Sequence, residues 1–220
     1  MKIIMMVLSI AAIIIFTIFV FVLFNLLQAE LCVPRIYLMW IFKEPASHLV
    51  IIYEIYAFIA FFYITNRDMK EIISRFIKWN KRFMITIFVI LNIGLFYYIL
   101  TAVTVITNNK IINYSITTPF GKEFSYSDIV KINTGVYGTG RTKGDFYYII
   151  ELKDGSKIDI TQLGGAKNNE DERFIIERLD KKWVNMGIPK TASMDNFNYA
   201  KKELAKIYTD KIQNIIKNTK

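Results

Sequence analysis

"TAVTVITNNKIINYSI", residues 101–116, decides how this chain is divided. It follows an apolar run that begins at Phe83, so it reads either as the last turns of a membrane helix or as the start of a sheet. Thr, Val and Ile are dense over 101–107, and β-branched residues at that density favour a strand. Asn108 and Asn109 tolerate positive φ and suit a tight hairpin. Beyond them Ile112, Tyr114 and Ile116 alternate with Asn113 and Ser115, the two-residue period of a strand with one buried face. The helix is therefore expected to stop near Leu100 and a hairpin to start at once, with no flexible linker.

The same two-residue period continues downstream. Phe124 and Tyr126 alternate with Glu123 and Ser125; Val130, Ile132 and Val136 alternate with Lys131, Asn133 and Gly135. A glycine-rich loop, "GTGRTKGD" at 138–145, leads to Phe146, Tyr148, Ile150 and Leu152. "DG" at 154–155 then separates these from Ile158 and Ile160. The expectation is six short strands joined largely by hairpins, an antiparallel meander.

A helix should follow, capped by Asn168 or Asn169, with Glu170, Asp171 and Glu172 favourable to its N-terminal dipole. Ile175, Leu179, Trp183 and Met186 form its apolar stripe, and Gly187 and Pro189 end it. Residues 190–194 read as a link. From Asp195 an amphipathic helix carries Phe197, Leu204, Ile207, Ile212 and Ile215. Its uses are a membrane, an acidic partner, self-association with a second chain, or docking on its own domain.

Upstream the solvent changes. Hydrophobic residues make up 53% of 220 residues, and the excess lies before residue 107. Residues 3–24 carry no charge and are long enough to span the hydrocarbon of a bilayer, about 30 Å at about 1.5 Å per residue. No small-residue cleavage site follows, so a retained helix over about 3–27 is expected rather than a signal peptide. A second helix is expected over about 49–65 and a third over about 83–100. Tyr97 and Tyr98 lie at the interface end of the third. Residues 36–42 between Pro34 and Pro45 are apolar but too short to span, and read as an interfacial or re-entrant patch with Trp40 at headgroup depth.

Glu54 falls inside the second helix. A carboxylate there serves a proton-linked or ligand-binding task, or is a neutral group bonded to another helix or near the headgroups. His48 precedes it, within reach of Glu54 but also suited to the interface. The link 66–82 places Met69, Ile72, Ile73, Phe76 and Ile77 at helical spacing among Arg67, Lys70, Arg75, Lys78, Lys81 and Arg82. It reads as a basic amphipathic helix in the membrane surface or as an extension of a membrane helix. Six basic residues make this link the cytoplasmic one. The N-terminus is then expected inside and the β-domain extracytoplasmic; a re-entrant hairpin in place of the second helix is the alternative that would reverse this.

The formal charge of +9 suits anionic headgroups. No basic tract pairs with a nucleic-acid motif, so no nucleic acid is expected. Cys32 is the only cysteine and forms no internal disulfide; Glu30 and Leu31 before it are unlike the small residues that precede a lipidated cysteine. One histidine and one cysteine cannot make the usual zinc sets. No serine lies in a nucleophile elbow. "GTGRTKG" lacks Walker spacing and opens into a strand. Asp128 and Asp159 are not paired by spacing. No cofactor, metal or catalytic residue is expected.

Within 101–188, "VTVITNNKIINYS", "FSYSDIVKI", "FYYIIELKDGSKIDI" and "WVNMGI" resemble bacterial pleckstrin-homology-like (PH-like) membrane proteins. The resemblance implies a strongly bent antiparallel sheet capped by one C-terminal helix, although six strands are found where seven are usual. In eukaryotic relatives such a hairpin loop binds phosphoinositides, which points to Arg141 and Lys143. Bacterial membranes generally lack those lipids, and a solvated loop is the alternative.

The expected fold class is α+β: a transmembrane domain over 1–100, a PH-like β-domain with its capping helix over 101–189, and a link and amphipathic tail over 190–220. The expected function is a non-enzymatic multi-pass membrane protein that presents a domain binding protein, peptide or lipid headgroup. Rival readings are a small transporter, channel or immunity-type factor working through Glu54, and an enzyme acting on lipids or cell-wall precursors.

Overall fold

The computed structural model describes residues 2–65, 70–72, 74 and 81–219, which form two compact units. One unit contains residues 1–31 and 44–102, the other residues 32–43 and 103–220. The division is not a single cut. A short segment from before the second apolar helix belongs with the C-terminal half of the chain.

The first unit is helical. Helix α1 is Lys2–Cys32, α2 is Ala46–Leu49, α3 is Ile51–Thr65 and α4 is Lys81–Thr101. Among the described residues three stretches are long and apolar enough to cross a membrane: Ala11–Cys32, Ala46–Thr65 and Lys81–Thr101. Each extends beyond the apolar run that announced it. In α1 the added turn is "LQAEL", good helix formers, and the helix stops two residues before Pro34, whose ring disfavours helical geometry just ahead of it. Aromatic pairs join the three, with Phe24 centred 5.4 Å from both Tyr53 and Phe96, and Tyr56 5.3 Å from Phe88. The Gln28 amide donates to the Ile99 carbonyl at 2.7 Å.

The second unit is α+β with two sheets rather than one meander. Strands β1 (Met39–Phe42), β2 (Val103–Ile106), β3 (Lys110–Ser115), β4 (Thr118–Ser125) and β8 (Leu163–Ala166) form the first, in the order β4-β3-β2-β1-β8. Strands β5 (Ile129–Val136), β6 (Phe146–Leu152), β7 (Lys157–Asp159) and β9 (Lys190–Ala192) form the second, in the order β7-β6-β5-β9. The strand and hairpin expected from Thr101 onward are present, since Ala102 alone separates α4 from β2. The turn is closed by Thr107, whose hydroxyl accepts from the Lys110 amide at 3.2 Å. Asn108 and Asn109 are not among the positive-φ residues.

Strand β1 corrects the expectation of a membrane-surface patch. Residues 39–42 are interior strand, antiparallel to β2 on one side and to β8 on the other. All four side chains are buried, Trp40 included. A strand buried on both faces has no alternation to read, so it looked like any short apolar run. Trp40 fits because its neighbours are glycines: a Cβ on Gly164 would stand 2.2 Å from the indole ring, and one on Gly165 2.6 Å.

Two other expectations shift by local irregularity. A bulge between Ile129 and Lys131 reverses the start of β5, so Ile129 is buried and Val130 is 51% exposed. Residues 190–192 are not a link but β9, parallel to β5.

Helix α5, Glu172–Asn185, is the expected capping helix, with Asp171 rather than Asn168 or Asn169 as its cap. The Asp171 carboxylate accepts from the Arg173 amide at 3.0 Å, whereas both asparagines sit at positive φ. At the other end Gly187 has φ +82°, its amide reaches the Val184 carbonyl at 3.0 Å, and the Ile188 amide reaches Trp183 at 3.2 Å. This pair of bonds is a Schellman stop. Ile175, Leu179 and Trp183 are buried, but Met186 is exposed and Ile176 and Val184 take its place. Their core includes Tyr126, Tyr148, Ile150 and Leu152.

The terminal stretch is two helices, α6 (Phe197–Glu203) and α7 (Lys206–Lys217). Phe197, Ile212, Ile215 and Ile216 are buried inside this unit, and Ile207 is exposed. Of the uses weighed for this apolar stripe, docking on its own domain is the one these four residues show.

Candidate functional site

Arg141 and Lys143 lie in the loop between β5 and β6, and both are exposed. The loop is braced by the chain's own end. The Lys143 ammonium lies 4.1 Å from the centre of the Tyr199 ring, and a Cβ on Gly144 would stand 2.9 Å from the Glu203 carboxylate. Lys143 is therefore engaged by a cation–π contact, while Arg141 projects into solvent. An open groove of about 700 Å³ lies elsewhere, lined by Pro34, Arg35, Ile36, Asn109, Lys110 and Glu123 among others. The Lys110–Glu123 ion pair, 2.5 Å, lies along it.

The basic link 66–82 falls mostly outside the described residues. Arg75 and Lys78 lie there, so their placement is not described. Lys81 and Arg82 are exposed at the start of α4. Glu54 is the ninth residue of the Ala46–Thr65 span, about 12 Å along its axis from Ala46 at about 1.5 Å per residue. It is also the fourth residue of α3. His48 does not pair with it; it lies 3.9 Å from the Glu44 carboxylate. Among the described residues Glu54 has no ion pair, and no group of three His, Cys, Asp or Glu could hold a metal ion.

Two charged sites were not visible in the sequence. The first is buried: Asp180 on α5 accepts from the Tyr148 hydroxyl at 2.7 Å, from Lys190 at 2.5 Å and from the Asn218 amide at 2.7 Å. Lys190 also donates to the carbonyls of Ile215 and Asn218. Side-chain exposure is 3% for Lys190 and 1% for Asp180. Burial pulls the Lys190 ammonium below its ordinary range, and Asp180 opposes that shift. The network joins β6, α5, β9 and the end of α7.

The second is Lys43, the residue after β1. Its ammonium donates to the Asn113 side-chain oxygen at 2.8 Å and to the Tyr114 carbonyl. Burial lowers its pKa from 10.5 to about 8, with the nearby Cys32 sulfur acting in the opposite direction. Because the folded value lies below the unfolded one, the folded state bears the full cost of the buried charge below pH 8. That cost is shed as pH rises from about 8 toward 10.5, so this group makes stability increase with pH across that window. Lys43→Met is expected to flatten the increase. Thermal melts of detergent-solubilised protein between pH 7.5 and 9.5 measure it, and parallel wild-type and variant curves would contradict the assignment.

No protein-family model, curated protein or solved structure matches this chain. What the residues define by themselves is an α+β protein with three apolar helices of membrane-spanning length and a two-sheet unit.

Proposed function

We propose that this is a non-enzymatic multi-pass membrane protein whose PH-like β-unit is a binding module held at the membrane surface. The observation that carries the reading is the origin of β1. This strand comes from between the first and second apolar helices, yet it pairs with β2, which follows the third. Both strands must lie on one side of the membrane, so the chain between them crosses an even number of times. Two crossings, by Ala46–Thr65 and Lys81–Thr101, satisfy that parity. A re-entrant second segment followed by one crossing does not.

The basic residues of the 66–82 link favour the cytoplasm for that loop, which sets the N-terminus inside and the β-unit outside. Membrane lipids with anionic headgroups, or a protein partner, are the ligands in keeping with the exposed Arg141 and the basic balance. The test is single-cysteine labelling of intact cells with an impermeant reagent, with Cys32 replaced. A cysteine at Ser156 is expected to label at once, and one at Lys70 only after permeabilisation. The reverse pattern would invert the orientation. Labelling of both in intact cells would remove the parity argument.

Glu54 supports a second reading, in which the helices themselves work as a small transporter or channel. A carboxylate at this depth costs several kcal/mol unless it is protonated or covered. Under the leading reading Glu54→Gln leaves the cellular phenotype intact; under the second it abolishes it while the protein still inserts.

A further inference from the structure

The edge hairpin of the five-stranded sheet has an irregular tip. Between the pair Asn113↔Lys122 and the pair Ser115↔Thr118, β3 advances two residues and β4 four. The excess of two residues falls within the stretch Pro119–Phe120–Gly121. Gly121 has φ +81°, and a Cβ there would stand 2.6 Å from Ile112, so only glycine allows the backbone to turn this close to β3. A bulge of this kind re-aims a side chain. Here it aims Phe120, which is 94% exposed, the largest value for a large hydrophobic side chain among the described residues. Ile116, in the turn, is 51% exposed. From Ile111 to Gly121 there is no charged residue, in a chain that is 21% charged.

The tip is ordered rather than loose. The Ser115 hydroxyl lies 2.7 Å from that of Thr118 and 3.1 Å from that of Thr117, and accepts from the Thr118 amide at 3.2 Å. Lys43 holds its base through Asn113 and Tyr114. The position of that base in the sheet matters. Phe42 is opposite Val103, and Thr104 is opposite Asn113, so Tyr114 stands on the row of Phe42 and Val103. That row is where the chain leaves β1 for the Ala46–Thr65 span and where it arrives from the Lys81–Thr101 span. Ser115 to Phe120 extend past it.

From this register we infer that the β3–β4 tip is a membrane-insertion element: Phe120 enters the headgroup–acyl boundary of the bilayer that the three helices cross. The inference rests on the proposed membrane topology. The attraction is apolar rather than ionic. Lys122 is paired with Asp154 at 3.0 Å, and Lys43 is bound to β3, so neither offers a free charge to a headgroup. Aromatic rings belong at that depth of a bilayer. The tip thus takes uncharged lipid surface as readily as anionic surface.

The experiment uses the full chain with Cys32→Ser, reconstituted in phosphatidylcholine vesicles. An environment-sensitive nitrobenzoxadiazole label is placed in turn at Phe120→Cys, Lys131→Cys and Ile90→Cys. Ile90 is 61% exposed on α4 and reports the hydrocarbon; Lys131 is exposed on β5 and reports water. Lipids carrying a shallow doxyl quencher are expected to lower the Phe120 signal at least twofold and to leave Lys131 unchanged. Half-molar salt is expected to change neither. An aqueous, unquenched Phe120 beside a quenched Ile90 would overturn the inference while leaving the helices in the membrane. An unquenched Ile90 would instead remove the topology on which it rests. A blue-shifted but unquenched Phe120 would mean that protein covers the tip, and loss of quenching in salt would mean ionic capture; either result overturns the apolar insertion.

Discussion

Asp180→Ala is expected to destabilise the β-unit by about 3–5 kcal/mol, the usual cost of removing one member of a buried ion pair. Lys190 would be left with the Ile215 and Asn218 carbonyls and the Tyr148 ring, and the Tyr148 hydroxyl and Asn218 amide would lose their acceptor. A loss of that size is a large part of the stability of a small domain. Thermal melting of the solubilised protein, followed by near-ultraviolet circular dichroism, reads it directly. The double variant Asp180→Leu with Lys190→Met should recover most of the loss, because two packed apolar side chains replace two desolvated charges. An Asp180→Ala protein that melts within a degree of wild type would show that the network is not closed as described.

Gly164→Val is the second large effect. The first atom of any side chain at 164 would stand 2.2, 2.4 and 2.7 Å from three carbons of the Trp40 ring. Trp40 is 4% exposed and lies between β2 and β8, so its ring has nowhere to retreat. Overpacking in a filled core costs about 1–3 kcal/mol and sometimes more. The clash also belongs to a specific pairing. Trp40→Ala alone is expected to be destabilising through the cavity it leaves. The double variant should be more stable than the sum of the two losses implies, since each change relieves the other. Strict additivity in a double-mutant cycle would place Trp40 away from β8, and would return residues 39–42 to the membrane-surface patch that their composition first implied.

The elements legible in the sequence were those with a period. The alternation of β6 put Tyr148, Ile150 and Leu152 on one face, and they are buried. The stop at Gly187 and Pro189 was legible because each residue has one physical role there. The three apolar helices were legible by length. Strand β1 was not, because burial on both faces erases alternation. Strand β8 was not, because the two central residues of "LGGA" are glycines and leave no alternation to read; they make sense only once Trp40 is known to lie against them. Val130 was misassigned because a bulge is set by the partner strand and leaves no local mark. Of the candidate site, Arg141 and Lys143 were placed in the correct loop. The Tyr199 contact that engages Lys143 joins residues distant in sequence. The Asp180–Lys190 pair is only ten residues apart, yet each residue reads as an ordinary surface charge until α5, β9 and α7 are brought together.

The placement of β1 has a consequence for biogenesis. In the proposed topology Met39–Phe42 are delivered across the bilayer early in synthesis, but both strands that flank them, β2 and β8, are made only after residues 43–102. Until then the segment has two open edges and no hydrogen-bonding neighbours. The sheet can close only in a chain whose second and third helices have both been threaded in the correct sense. In a chain threaded otherwise, Met39–Phe42 would remain an apolar strand without its two partners.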